Sequence, residues 1–104
     1  MKATKSILKH LKIARDNLAN QNNKCEYICE ALGWPDRGTE KHDAIRFLVE
    51  NYGMDKSGAW FNKDMRDLGC DHDSCTDVEF IKYMKQARIN FLDKVILDLE
   101  SSLC

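Results

Sequence analysis

The segment that decides the fold lies near the end of the chain, where residues 76–103 read TDVEFIKYMKQARINFLDKVILDLESSL. Apolar residues recur in it at steps of three and four, the period of a helix with one apolar face. The main stripe consists of Phe80, Met84, Ala87, Phe91, Val95 and Leu99, and Ile81, Leu92, Ile96 and Leu103 broaden it. Thr76 and Glu79 form a capping box at its start. We predict one uninterrupted helix of about seven turns, roughly 40 Å long at 1.5 Å per residue.

Four shorter segments nearer the amino terminus show the same period. They cover residues 4–20, 24–32, 39–53 and 59–68. In the first of these, Ile7, Leu11, Ala14 and Leu18 form the stripe that we expect to be buried. Glycines follow the others at positions 33, 53 and 69, as expected of a residue that adopts the left-handed conformation closing many helices.

The segment Gly33-Trp34-Pro35-Asp36-Arg37-Gly38 predicts a turn between the second and third helices. Pro35 fixes its own backbone and disfavours helical geometry at the preceding residue. We therefore expect Trp34 to be extended and its indole to fold back onto the core.

No stretch alternates between apolar and polar residues strictly enough to predict a strand. With 104 residues, 43% of them hydrophobic, the chain has enough apolar surface for one core. We predict an all-α protein in which residues 1–104 form a single domain of about five helices. The first and last helices are long and suited to antiparallel packing.

The composition also bears on the compartment. No window approaches the roughly 18 apolar residues that a membrane span requires, and charged residues interrupt the start of the chain where a signal peptide would be apolar. The five cysteines cannot all pair within one chain. We expect a cytoplasmic protein with free thiols rather than a secreted disulfide framework.

Charge is distributed unevenly along the chain. Residues 1–24 carry a net charge of +5, residues 25–79 of −7 and residues 80–104 of +1. Six carboxylates lie within sixteen residues, namely Asp64, Asp67, Asp71, Asp73, Asp77 and Glu79. Such a cluster repels nucleic acid and favours encounter with a basic surface. We therefore expect these residues to bind a protein partner with a basic surface.

The basic residues of the first helix suggest an alternative, a nucleic-acid-binding accessory protein. Lys2, Lys5, Lys9, Lys12 and Arg15 lie near one another and could contact phosphates. Lysines on the solvated face of any amphipathic helix give the same pattern, and we regard that as the better interpretation.

Cysteine and histidine residues offer a second alternative, a zinc-stabilised module. Its ligands would come from Cys25, Cys29, Cys70, His72 and Cys75. Their spacing matches no standard zinc finger or ribbon, and Cys25 and Cys29 share an apolar face with Ile28 and Leu32. We favour two buried core cysteines and no cofactor. No catalytic motif is present, so we expect a protein that is not an enzyme.

Three apolar segments resemble a pattern in small uncharacterised proteins of tailed bacteriophages and prophages. They are residues 27–32 (YICEAL), residues 44–48 (AIRFL) and residues 59–61 (AWF), with Phe61 where those proteins usually have Leu. The similarity covers roughly residues 24–66 and transfers no catalytic or binding residue. It implies an accessory protein of the host cytoplasm that binds a host or phage protein and modulates it. Inhibition of a host defence or nucleic-acid enzyme is one such role.

Core cysteines and a zinc site predict different metal contents. We expect protein purified without chelator to contain no stoichiometric zinc when measured by elemental analysis. One zinc per chain, lost in both the Cys25→Ser and the Cys75→Ser variants, would overturn this expectation and favour the zinc-stabilised module.

Overall fold

The structure is a computed structural model that describes residues 2–20, 25, 27–54 and 77–103, with only the backbone of residues 77–81 and 83. These ranges contain four helices: α1 (Lys5–Ala19), α2 (Ile28–Ala31), α3 (Glu40–Tyr52) and α4 (Asp77–Leu103). They contain no strand, which confirms the predicted helical class for this part of the chain. The helix predicted over residues 59–68 and the capping residue Thr76 lie outside the described residues.

Helix α1 begins and ends where its sequence predicts. The Thr4 side-chain oxygen accepts a hydrogen bond from the amide of Ile7 at 3.2 Å, and the Asn20 amide donates to the Asp16 carbonyl at 3.0 Å. The predicted stripe is buried: Ile7, Leu11, Ala14 and Leu18 are at most 2% exposed. Helices α2, α3 and α4 all pack against α1, which therefore lies at the centre of the described fold.

Helix α3 also has the predicted ends. The Thr39 hydroxyl oxygen accepts a hydrogen bond from the amide of His42 at 3.2 Å, and Gly53 closes the helix with a left-handed φ of +69°. Its buried residues are Ala44, Ile45, Phe47 and Leu48. Val49 and Tyr52, which the period also places on the apolar face, are half-buried.

Helix α2 is shorter than its sequence pattern suggests. The apolar spacing predicts a helix over residues 24–32, but the helix has a single turn, Ile28–Ala31. Tyr27 precedes it in extended geometry, with φ −107° and ψ 151°. Since residue 25 is not helical, Cys25 and Cys29 do not share a helix face. One turn satisfies too few backbone groups to persist alone, so α2 depends on its packing against α1.

Helix α4 follows its predicted course but faces the core differently. Leu92 and Val95 are fully buried, whereas Phe91 is only partly buried against the core. Phe91 belongs to the main apolar stripe, which predicts full burial, and for this residue that prediction is wrong. Phe91 and Leu92 are neighbours, so their side chains point about 100° apart around the helix. Both belong to the broad apolar stripe, and the sequence did not indicate which of the two faces the core. With Leu92 at the centre of the buried arc, Phe91 lies at its edge.

Ion pairs along the seam between α1 and α4 show that the two helices run in opposite directions. Lys12 pairs with Glu100 at 3.1 Å, and Arg15 pairs with Asp93 at 2.8 Å. These side chains are substantially exposed, so each pair contributes only a few tenths of a kcal/mol, up to about 1. Asp93 raises the pKa of Arg15 through its hydrogen bond and its charge.

Tyr52 connects α3 to α4. Its ring meets Phe91 edge-on, with the centroids 5.9 Å apart, and its hydroxyl donates to the Asp98 carboxylate at 3.3 Å. Burial raises the pKa of the phenol, and the negative charge of Asp98 adds to the effect. The contact fixes the carboxyl-terminal end of α3 against α4.

Two leucines on α4 provide a matched test of this packing. Leu92 is 0% exposed, whereas Leu97 is 65% exposed. We expect Leu92→Ala to lower the free energy of unfolding by about 2–5 kcal/mol, because it leaves a cavity in the core. Leu97→Ala should change it by less than about 0.5 kcal/mol. Equal urea midpoints for the two variants would show that the assigned face of α4 is wrong.

Candidate protein-binding surface

The turn after α2 is closed by two backbone hydrogen bonds in the Schellman pattern. The Gly33 amide donates to the Glu30 carbonyl, and the Trp34 amide donates to the Cys29 carbonyl, both at 2.9 Å. Gly33 has the left-handed φ of +76° that this motif requires and that glycine adopts without steric cost. The predicted end of the helix at Gly33 is therefore confirmed.

Trp34 departs from both sequence-based expectations. Its φ is +51°, so it is left-handed rather than extended, and its side chain is 58% exposed rather than folded onto the core. The chain reverses at Gly33, and the hydrogen bond from the Trp34 amide to the Cys29 carbonyl closes this reversal. Among the described residues, Trp34 is the only non-glycine with positive φ.

The Trp34 indole is one end of a stack of aromatic and cationic side chains that also contains Tyr27 and Arg88. The Trp34 and Tyr27 ring centroids are 6.4 Å apart at an interplanar angle of 48°. The guanidinium carbon of Arg88 lies 4.7 Å from the centroid of the Tyr27 ring, within the range of a cation–π contact. Arg88 is 1% exposed. The stack thus connects a buried residue of α4 with an exposed side chain at the surface.

Hydrogen bonds hold the segments on either side of the indole. Asn17 on α1 donates from its side-chain amide to the Ala31 carbonyl at 2.7 Å, which fixes the end of α2. The Thr39 hydroxyl donates to the Asp36 carbonyl at 2.7 Å, and the Thr39 amide donates to the same oxygen at 3.3 Å. The turn that carries Trp34 is therefore tied down at both ends.

A shallow groove of about 510 Å³ lies beside Trp34. Leu32 and Pro35 contribute apolar side chains, while the charged lining residues are Asp36, Glu40 and Lys41. His10 also lines it and is 8% exposed, with its Nδ1 donating to the Ser6 carbonyl at 2.8 Å. Because the charges are mixed, the surface around Trp34 favours apolar contact more than it favours ligands of one charge.

A second groove of about 600 Å³ runs along one face of α3 from His42 to Glu50 and includes the preceding turn. Ile45 and Val49 lie among Arg37, Arg46 and Glu50, and the last two form an ion pair at 2.9 Å. This ion pair lies within one helix face, where it adds only a few tenths of a kcal/mol.

The acidic residues predicted to bind a partner fall largely outside the description. Asp64, Asp67, Asp71 and Asp73 lie outside the described residues. Asp77 and Glu79 lie in the first turn of α4, and only their backbone is described. Their grouping therefore stays a prediction from the sequence.

The alternative zinc ligands are placed only in part. Cys29 is 6% exposed within the hydrophobic core, as expected, whereas Cys25 is only partly buried against the core. Both are free thiols. Cys70, His72 and Cys75 lie outside the described residues. Within the part that is described, no three His, Cys, Asp or Glu side chains form a metal-binding group.

The basic residues of the first helix are placed as well. Lys12 and Arg15 pair with carboxylates of α4, as described above. Lys2, Lys5 and Lys9 are exposed. Two of the five cations are thus paired with α4, and the choice between a solvated face and a phosphate-binding surface stays a prediction from the sequence.

Comparison with protein-family models, curated proteins and solved structures found no match to this chain. Among the described helices, none is long and apolar enough to cross a membrane. The function is therefore inferred from the residues of this chain. The left-handed backbone and the exposed indole of Trp34 were not predicted from the sequence, although Gly33 and Pro35 indicate the turn in which Trp34 lies.

The left-handed geometry of Trp34 has a measurable consequence. Ala at this position retains the unfavourable φ, whereas Gly adopts it freely. We expect Trp34→Gly to be more stable than Trp34→Ala by about 1 kcal/mol in urea unfolding, the reverse of their order in ordinary backbone. If Trp34→Ala is the more stable variant, the assigned backbone conformation is wrong.

Proposed function

We propose that this chain is a small accessory protein that binds another protein through Trp34 and modulates that protein's activity. The observation that carries the proposal is an exposed indole on a left-handed backbone. Each feature costs stability, and neither contributes to the packing of the core. Unfavourable backbone geometry and exposed large apolar side chains concentrate at sites where they serve binding.

Trp34 has the properties of an interface anchor. Tryptophan is among the residues that contribute most binding energy when they enter a partner's pocket. The closed turn and the contact with Tyr27 hold the ring before binding, so little side-chain entropy is lost on association. The partner should offer an apolar pocket that accepts an indole.

The charge of the sequence supports a second property of the partner. The carboxylates at positions 64, 67, 71, 73, 77 and 79 favour a basic surface through electrostatic steering. Enzymes that act on nucleic acid present such surfaces to phosphate groups. Together with the resemblance to phage proteins, this supports inhibition of a host defence or nucleic-acid enzyme as the form that modulation takes.

Affinity capture from a lysate of the natural host, followed by binding measurements with the purified partner, tests the proposal. We expect Trp34→Ala to weaken binding at least about tenfold, since truncating an anchor costs more than about 1.4 kcal/mol. Leu97→Ala is the matched control, because it removes another exposed apolar side chain from α4. Unchanged affinity for Trp34→Ala would contradict the proposal.

The acidic residues require a separate variant. Replacing Asp71, Asp73 and Asp77 with Lys should slow association with the same partner, most strongly at low salt, while the circular dichroism spectrum stays helical. If the folded triple variant associates at the parent rate at low salt, the acidic residues are not part of the interface. The contribution of Trp34 would be unaffected by that result.

A further inference from the structure

A second surface lies between α1 and the last turns of α4, where a groove of about 830 Å³ follows the two helices. Its apolar part is formed by Leu8, Ile13 and Leu103. Leu8 and Leu103 are partly buried against the core, and Ile13 is 38% exposed. Apolar side chains thus line a depression that extends along the first three turns of α1.

Positive charge gathers at one end of this groove. Lys5 and Lys9 line it, are exposed, and form no ion pair within the described part of the chain. The first turn of α1 contains no acidic residue, so the positive end of the helix dipole adds to the charge of these lysines. The surface at this end has positive charge that is not compensated by described neighbours.

Negative charge lies farther along the same groove. Asp16 lines it eleven residues after Lys5, with 75% of its side chain exposed and the Arg15 guanidinium 3.6 Å from its carboxylate. Glu100 also lines it and pairs with Lys12 at 3.1 Å. The groove therefore has an apolar part, an uncompensated cationic end at Lys5 and Lys9, and carboxylates at its other end that are paired with Lys12 and Arg15.

We propose that this groove binds an amphipathic helix of another protein, one whose apolar stripe is flanked by acidic residues at the end that meets Lys5 and Lys9. The distance from Lys5 to Asp16 along α1 is about 16 Å at 1.5 Å per residue, which suits a partner helix of about three turns. Amphipathic helices bind in apolar grooves of this kind through side chains on one face.

The charge pattern favours such a helix over an anionic membrane surface. A flat bilayer cannot enter a groove, and it would place lipid phosphates against Asp16 and Glu100 as well as against the lysines. A helix with acidic residues at only one end avoids that repulsion. This surface shares no lining residue with the groove beside Trp34 and does not depend on the function proposed above.

Two designed peptides of about four turns provide the probes. Both have a leucine stripe at helical spacing; one has glutamates flanking its first turns, and the other has lysines at the same positions. Binding to the full chain is followed by fluorescence anisotropy, and the contact surface by amide chemical shifts. We expect the glutamate peptide to bind more tightly than the lysine peptide, with shifts centred on Leu8, Ile13 and Leu103.

The Lys5→Glu/Lys9→Glu double variant should bind the glutamate peptide at least about tenfold more weakly than the parent protein does. This variant should bind the lysine peptide more tightly than it binds the glutamate peptide. The fold should survive, since glutamate is favoured at Lys5 in the first turn of α1 and Lys9 is exposed in the second. Lys82→Glu/Lys94→Glu makes the same change of charge at exposed positions on α4 and should leave both affinities within about twofold.

Three results would overturn the proposal. The first is equal affinity for the two peptides, and the second is an equal loss of binding in the two double variants. The third is that the parent protein binds phosphatidylserine vesicles, loses this binding in Lys5→Glu/Lys9→Glu, and binds neither peptide. That last outcome would assign the surface to membranes instead.

Discussion

The described structure depends on the burial of one face of α1. Leu11, Ala14 and Leu18 are 0% exposed because three other helices pack against this short segment. Burying a leucine side chain contributes about 1.5–3 kcal/mol. The other three helices each make their largest contact with α1, and Tyr52 adds a smaller one between α3 and α4. The stripe of α1 must be broad, since α2, α3 and α4 approach it from different directions. Ala14 lets a neighbouring helix come close at the middle of that stripe.

The surface that we assign to binding follows from this constraint. A single helical turn such as α2 does not form alone in water, because its few hydrogen bonds do not offset the loss of backbone entropy. Contact with α1, including the hydrogen bond from Asn17 to Ala31, supplies the missing stability. Once α2 is fixed, its closing hydrogen bonds determine the direction of the chain at Trp34. An apolar stripe on one helix thus positions an indole on another part of the surface.

The features that could be predicted from the sequence are those set by local chemistry. Thr4 and Thr39 cap the helices that they precede, and glycines close α2 and α3, because capping depends on residues within one or two turns. The inward direction of α4 was not predictable, since Phe91 and Leu92 both lie on a broad apolar stripe and packing against other helices decides between them. The burial of Arg88 depends on Tyr27, sixty-one residues earlier in the chain. No pattern within α4 indicates that contact.

Trp34 presents an exposed indole on a backbone that is already ordered. NMR of the chain labelled with 5-fluorotryptophan and nitrogen-15 tests both parts, with the Trp34 resonances assigned from a Trp34→Phe variant. We expect a large change of the Trp34 fluorine shift between H2O and D2O, together with an amide order parameter near that of rigid backbone, about 0.85. A fluorine shift insensitive to solvent, or an order parameter below about 0.6, would contradict this expectation.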